Sequence, residues 1–310
     1  MGENSNIEWT DHTFNPWRGC TKVSDGCKNC YAMTLSNRFE GKHGIWGPKG
    51  TRVIASESYW RQPLKWNKEA GDRFDRIGDS MFATPAMLKD QASRPRVFCA
   101  SLADVFEGPE TMPEEAWREV RRARERLFDL IDETPNLDWL ILTKRPENVV
   151  EFMSEHNGHD TPGYNWERFP ENVWIGTSVE DQKTADERIP HLLKIPAAAR
   201  FLSCEPLLGP VDLNAVPWRH GGMGAKGERG VLLDRTEPDD CVYWEKHSAI
   251  HWVIAGGESG PGARPMELEW MRSLRDQCQA AGVPFFGKQW DKKKELPDDL
   301  MIREFPVVQL

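Results

Sequence analysis

The run Leu137-Asp138-Trp139-Leu140-Ile141-Leu142-Thr143-Lys144-Arg145 is apolar on consecutive residues and then turns abruptly polar. Alternation would mark a strand with one wet face, whereas consecutive apolar residues mark a strand covered on both. Five further runs read the same way: Arg96-Val97-Phe98-Cys99-Ala100, Val173-Trp174-Ile175-Gly176, Arg200-Phe201-Leu202-Ser203, His251-Trp252-Val253-Ile254-Ala255 and Val283-Pro284-Phe285-Phe286. Helical patterns lie between them. Trp117, Val120, Ala123, Leu127 and Leu130 make one apolar face, introduced by Pro113 and by a Thr111/Glu114 pair that resembles a capping box. Leu268, Met271, Leu274, Cys278 and Ala281 make another, opened by Pro265 and stopped by Gly282.

Strand–helix alternation of this kind means a parallel α/β barrel or a doubly wound sheet. The strand ends favour the barrel. The runs finish in Ser101-Leu102-Ala103-Asp104, Thr143-Lys144-Arg145, Thr177-Ser178-Val179-Glu180, Cys204-Glu205, Gly256-Gly257-Glu258-Ser259 and Lys288-Gln289-Trp290. A barrel gathers all such ends around one mouth, while a doubly wound sheet uses only those near its switch point. The expected fold is therefore α/β, a partial TIM-like (β/α)6-7 parallel barrel. A single domain over residues 1–310 is expected, with insertions at about 40–95 and 211–248.

Composition allows an enzyme of this type. The chain has 310 residues, ample for a large core, and a net charge of −9, which argues against broad non-specific nucleic-acid affinity. No apolar run approaches the ~18 residues of a membrane span, and no basic-then-apolar leader opens the chain. A cytoplasmic protein with no membrane partner is expected. Seven cysteines, an odd number, point to metal ligands and buried thiols in a reducing compartment.

Three of those cysteines fall within eleven residues, Cys20, Cys27 and Cys30, spaced C-x6-C-x2-C. Gly19 and Gly26 precede two of them and allow turns; Tyr31, Leu35 and Phe39 then begin a helix that would anchor the loop. One reading has three thiolates holding a [4Fe–4S] cluster with one iron left open. A second completes a Cys3His zinc site with His12 and makes the loop structural. A third leaves three unligated thiols. Cys99 and Cys278 lie on apolar faces and read as packing thiols. Cys241 sits in the Gly-rich insertion. Cys204 ends a strand beside Glu205, either a buried thiol or a hydrogen-atom donor at the mouth.

Ile7-Glu8-Trp9-Thr10-Asp11, Asn15-Pro16-Trp17-Arg18-Gly19-Cys20, Gly26-Cys27-Lys28-Asn29-Cys30-Tyr31-Ala32 and Phe286-Gly287-Lys288-Gln289 resemble, nearly end to end, a phage and bacterial three-cysteine family of unknown function (phage Gp37/Gp68-type). That family resembles a distant branch of the radical S-adenosylmethionine (SAM) superfamily, including its spore photoproduct lyase-like members, although the superfamily spacing is C-x3-C-x2-C. The resemblance implies a partial barrel with the cysteine loop after its first strand, and Cys20, Cys27 and Cys30 as ligands of a [4Fe–4S] cluster. It also implies SAM on the open iron, cleaved reductively to a 5′-deoxyadenosyl radical by an electron from a donor such as flavodoxin or ferredoxin. Tyr31, Asp104, Ser178, Glu180, Glu205, Gly256, Gly257 and Glu258 are then candidates for holding SAM, and Cys204 for catalysis; for each, a structural role is the alternative.

The expected substrate is nucleic acid, in particular DNA with a damaged or modified base. Residues 42–76 interleave cations, among them Arg61, Lys65 and Lys68, with Trp46, Tyr59, Trp60, Trp66 and Phe74, a pattern that suits phosphates and stacked bases and equally suits solvated charge over scattered core tryptophans. Arg118, Arg121, Arg122, Arg124 and Arg126 add a second basic stretch, and Lys144 and Arg145 bring charge to the mouth. Photoproduct repair by a lyase is the sharpest form of this reading. The alternatives are a radical SAM enzyme acting on a small molecule or protein, and a non-catalytic zinc-stapled DNA-binding protein.

Overall fold

A computed structural model describes residue 3 and residues 5–40, 45–78, 93–156, 169–217, 231–232, 249–260 and 262–306. Among the described residues nine strands run in chain order: β1 (His12–Thr13), β2 (Trp17–Arg18), β3 (Val53–Ile54), β4 (Arg96–Cys99), β5 (Asp138–Thr143), β6 (Val173–Ser178), β7 (Ala199–Cys204), β8 (Trp252–Gly256) and β9 (Phe285–Gln289). The helices are α1 (Tyr31–Glu40), α2 (Glu57–Trp60), α3 (Gln62–Gly78), α4 (Glu114–Asp132), α5 (Glu147–His156), α6 (Gln182–Leu192) and α7 (Leu268–Ala280).

Seven strands pair in the order β1-β4-β5-β6-β7-β8-β9, all parallel. Spatial order follows chain order without reversal, so the sheet winds in one direction and has no switch point. It curls into a half-barrel, the partial TIM-like form expected. The six strands legible in the sequence are present within one to three residues of the expected bounds. The resemblance implies a strand ahead of the cysteine loop, and the two-residue β1 stands there; the small antiparallel pair β2–β3 was not foreseen.

Side-chain alternation along each strand divides the core. Val97, Trp139, Ile141, Val173, Ile175, Leu202 and Val253 face outward and pack with helix residues such as Val120, Leu127, Ile189 and Leu274. Phe98, Leu140, Trp174, Phe201, Trp252, Ile254 and Phe286 face inward and form a separate cluster with Trp9. Each fully buried side chain of this size contributes about 1.5–3 kcal/mol. Trp252 stands at the centre of the inner cluster, with the rings of Trp9, Trp174, Phe201, Phe286 and Phe305 centred 5.4–6.3 Å away. Phe305 also lies under Arg96 at the start of β4, 3.8 Å from guanidinium to ring centre. These rings fill the half-barrel below its C-terminal mouth.

The apolar stripes on α4 and α7 are buried as expected, and Gly282, with φ +65°, follows the end of α7. The Thr111/Glu114 capping box does not form. Thr111 lies in a 3-10 turn, where its hydroxyl donates to Gly108 O at 2.7 Å, and extended Pro113 is the residue that introduces α4. A capping box does introduce α6: Asp181 Oδ1 accepts from Thr184 N (2.9 Å) and Thr184 Oγ1 accepts from Asp181 N (3.0 Å). The expected 40–95 insertion contains β3, α2 and α3. Residues 79–92 of it, and most of the 211–248 stretch with Cys241, lie outside the described residues. Among the described residues no helix is long and apolar enough to cross a membrane.

Candidate functional site: a cysteine loop clamped over the strand ends

The loop that carries Cys20, Cys27 and Cys30 leaves β2 and enters α1, and three groups of charged residues at strand ends tie it down. The first lies beyond β4 and β5. Arg145 Nη1 donates to Asp104 Oδ2 (2.9 Å) and stands 3.9 Å from Cys20 Sγ, while Nη2 donates to Thr21 O (2.7 Å). Glu107 accepts from Thr21 N (2.7 Å) and takes both arms of Arg52 (2.7 and 2.9 Å), a pair whose side chains are wholly buried. Asp104 also accepts from Thr143 Oγ1, Lys144 N and Phe106 N. Burial alone would raise its pKa, but Arg145 and these donors hold it below the ordinary aspartate value.

The second group centres on Glu180 after β6. Its Oε1 accepts from Ser24 Oγ (2.9 Å), Lys144 Nζ (2.8 Å) and Arg188 Nη1 (3.1 Å). Against the burial of its carboxyl, those cations and hydrogen bonds keep it ionised, with its pKa lowered. The third centres on Glu258 after β8. Asn29 Nδ2 donates to its Oε2 (2.8 Å), Arg264 Nη2 to its Oε1 (2.6 Å), and Arg264 Nη2 reaches Asp25 O (3.0 Å). Tyr31 closes the set, its hydroxyl donating to Ser101 O at 2.8 Å. Charge-assisted hydrogen bonds of this kind are the strong ones, and breaking a buried pair costs about 3–5 kcal/mol.

The three thiols are free and partly exposed. Burial beside Glu107 and Asp104 pushes the Cys20 thiol well up, opposed by Arg145. Burial also raises Cys30, opposed by the backbone N–H groups of Met33 and Ala32 in the first turn of α1. Among the described residues no three His, Cys, Asp or Glu side chains stand together as a ready-made metal site. His12 is not with the cysteines: it stacks on Trp66 of α3 with ring centres 4.3 Å apart, and its charged neighbours are Asp11, Glu3, Glu69 and Lys65.

Several expected site residues therefore serve the loop. Asp104 (through Arg145), Glu180 and Glu258 tie it down, Lys144 Nζ shares Glu180 Oε1, Tyr31 reaches Ser101 O, and Glu180 Oε2 is buried without a hydrogen-bond partner among the described residues. Gly256 and Gly257 make room for protein: a Cβ on Gly256 would sit 2.9 Å from Glu205 Oε1, and one on Gly257 2.6 Å from Asp291 N. Ser178, in register with Ser203 across β6 and β7, follows the inward period of Trp174 and Gly176. Lys288 follows inward Phe286 and pairs with Glu205 at 2.7 Å. Glu205 and Lys288 are half-buried at these strand ends, whereas Ser178 and Ser203 are buried. Cys204 does not join them. It is fully buried on the outward face among helix residues, with Cys278 close by.

Of the two readings of the basic, aromatic segment, core tryptophans under solvated charge is the one found for Trp60 and Trp66. Trp60 and Trp66 are core residues and the Tyr59 hydroxyl donates to Thr13 O, so these rings are not stacking platforms. Arg61, Lys65 and Lys68 are exposed, and Lys65 pairs with Glu3 and Glu69. On α4 the arginines pair with Glu114, Glu125, Glu119 and Glu57, and Arg124 is buried, donating to Glu107 O. Sequence reading missed Glu107, Arg188 and Arg264, met Asn29 only inside the family motif, and counted Arg52 among the cations of the basic, aromatic segment. Glu107 lies three residues beyond Asp104 in the same strand-end stretch, which was a usable signal.

Fold and site together define a class: a parallel α/β half-barrel with a three-cysteine loop clamped across the C-terminal ends of its strands. Residues 4–301 match the family described as "Protein of unknown function (DUF5131)", and the chain belongs to that family. No curated protein and no solved structure matches it.

Proposed function

We propose that this protein is an iron–sulfur enzyme of radical SAM type, with Cys20, Cys27 and Cys30 as the protein ligands. The observation that carries the reading is three free thiols on one loop tied to the strand ends, where barrel enzymes build active sites. The donor set fits a cluster with one iron free of protein ligands, because it is all soft sulfur. Loading requires the loop to draw the three sulfurs into one coordination sphere.

When bound, such a cluster supplies one-electron chemistry at the sulfonium of SAM. The chain's own residues do the rest. The inner aromatic cluster closes the half-barrel below the mouth and excludes water from it. The half-buried Glu205–Lys288 pair offers charged groups at the strand ends. Asp104, Glu180 and Glu258 hold the loop in register with the strand ends.

The substrate within this reading is nucleic acid, supported by the exposed Arg61, Lys65 and Lys68 and by the photoproduct lyase-like resemblance, and without the aromatic stacking surface first expected. The test is anaerobic purification with iron, sulfide and zinc quantified beside a Cys20/Cys27/Cys30→Ala variant. About four irons and four sulfides per chain, lost in the variant, is the expected result. Stoichiometric zinc without sulfide would replace the proposal with a zinc-stapled binding protein. Salt-dependent DNA binding that weakens on Arg61/Lys65/Lys68→Gln is expected for the substrate class; unchanged binding would remove it.

A further inference from the structure

The three cysteines are not electrostatically equivalent. The Arg145 guanidinium stands 3.9 Å from Cys20 Sγ, among the carboxylates of Asp104 and Glu107, while the Lys144 ammonium is the cation that acts on Cys30. That guanidinium is nearly buried, 5% exposed, and fixed from both sides: Asp104 accepts from Nη1 at 2.9 Å and Thr21 O from Nη2 at 2.7 Å. Asp104 is in turn immobilised by Thr143, Lys144 and Phe106. A planar fork held this way keeps one N–H near a chosen sulfur, which the flexible point charge of a lysine does not reproduce. Cys30 meets helix amides instead.

We propose that Arg145 is a positioning residue for Cys20: it fixes the loop on the far side of the three-cysteine set and gives that one ligand a charge-assisted N–H···S contact. The inference rests on the reading of the cysteines as cluster ligands, and it gives Arg145 a role other than holding phosphate. Hydrogen bonds and positive charge at a ligand sulfur raise the reduction potential of an iron–sulfur cluster. Arg145 therefore makes the cluster easier to reduce, the step on which cleavage of SAM depends.

Two readouts test this on the full chain. In the holoprotein, an EPR-monitored redox titration should show the midpoint of Arg145→Gln shifted to more negative potential at unchanged iron content, with Arg145→Lys partly restoring it. In metal-free protein, iodoacetamide labelling read residue by residue should show Cys20 reacting several-fold slower than Cys27. Arg145→Gln, by removing the cation that favours the Cys20 thiolate, should lower that Cys20:Cys27 ratio several-fold. Should Arg145→Gln fail to fold, Arg145→Lys carries both comparisons against wild type. An unchanged potential or an unchanged labelling ratio in a folded variant overturns the proposal. If no cluster assembles in the wild type, the cluster reading fails on its own, and the labelling ratio still decides whether Arg145 positions Cys20.

Discussion

The carboxylate of Glu180 lies so closely under Gly26 that a Cβ built on the glycine would stand 2.5 Å from Glu180 Cδ. The glycine before Cys27 is thus required by what it packs on, not by its own backbone conformation. Gly26→Ala should displace the short 3-10 turn Asp25–Cys27 and cost about 1–3 kcal/mol by overpacking. Metal content should fall while far-ultraviolet circular dichroism stays near wild type. Full metal content in a folded Gly26→Ala protein would mean that the Glu180 contact does not set the position of Cys27.

Asn29 and Glu258 make the second such contact, between Cys27 and Cys30 on one side and the end of β8 on the other. Asn29→Ala removes a hydrogen bond to a charged group, about 1.5–3 kcal/mol where the carboxylate is left short of a donor. Arg264 keeps Glu258 ionised, so the loss should be local. Amide exchange should quicken in residues 24–31 and remain unchanged in β5 and β6. Uniform acceleration would show that the loop is part of the global unfolding unit.

Much of this was legible beforehand, and the boundary has physical causes. Strands buried on both faces write themselves as consecutive apolar residues, so β4 to β9 could be read directly. The β1 strand, with two residues, offers no pattern to read. The polar strand ends were visible too, but not their assignment. A carboxylate that meets a ligand and one that holds a loop are the same letter, and only long-range pairs such as Ser24 with Glu180 or Asn29 with Glu258 separate them. Cys204 shows the same limit. Being last in its strand suggested the mouth, but the period of two along β7 sends it outward, opposite to Phe201. Trp60 and Trp66 looked like stacking groups beside cations, whereas helical spacing buries them and leaves the cations outside.

Trp252 carries the inner cluster, and its indole also donates to Glu304 O at 2.9 Å. Trp252→Ala should cost about 3–5 kcal/mol, with Trp252→Phe costing less because most ring contacts survive. Urea denaturation measures both. A loss below about 1 kcal/mol would mean that the interior relaxes around the cavity.

Asp138 gives the fold a pH signature. Burial pushes its carboxyl up to about 6 against the opposing pull of Arg94 and Arg96. The folded state then binds a proton that the unfolded state releases between the ordinary value of 3.8 and about 6. Stability contributed through this group is present below that window and is lost as pH rises through it. Asp138→Asn should flatten the dependence, gaining stability relative to wild type at pH 7 more than at pH 4. Parallel pH profiles from urea midpoints would show that Asp138 titrates alike in both states.

The central claim is tested most directly by incubating the anaerobically reconstituted, dithionite-reduced protein with SAM and quantifying methionine and 5′-deoxyadenosine. The account predicts both products from the wild type and neither from the Cys20/Cys27/Cys30→Ala variant. A cluster-loaded protein that leaves SAM intact, or that cleaves it equally well without the three cysteines, would contradict it.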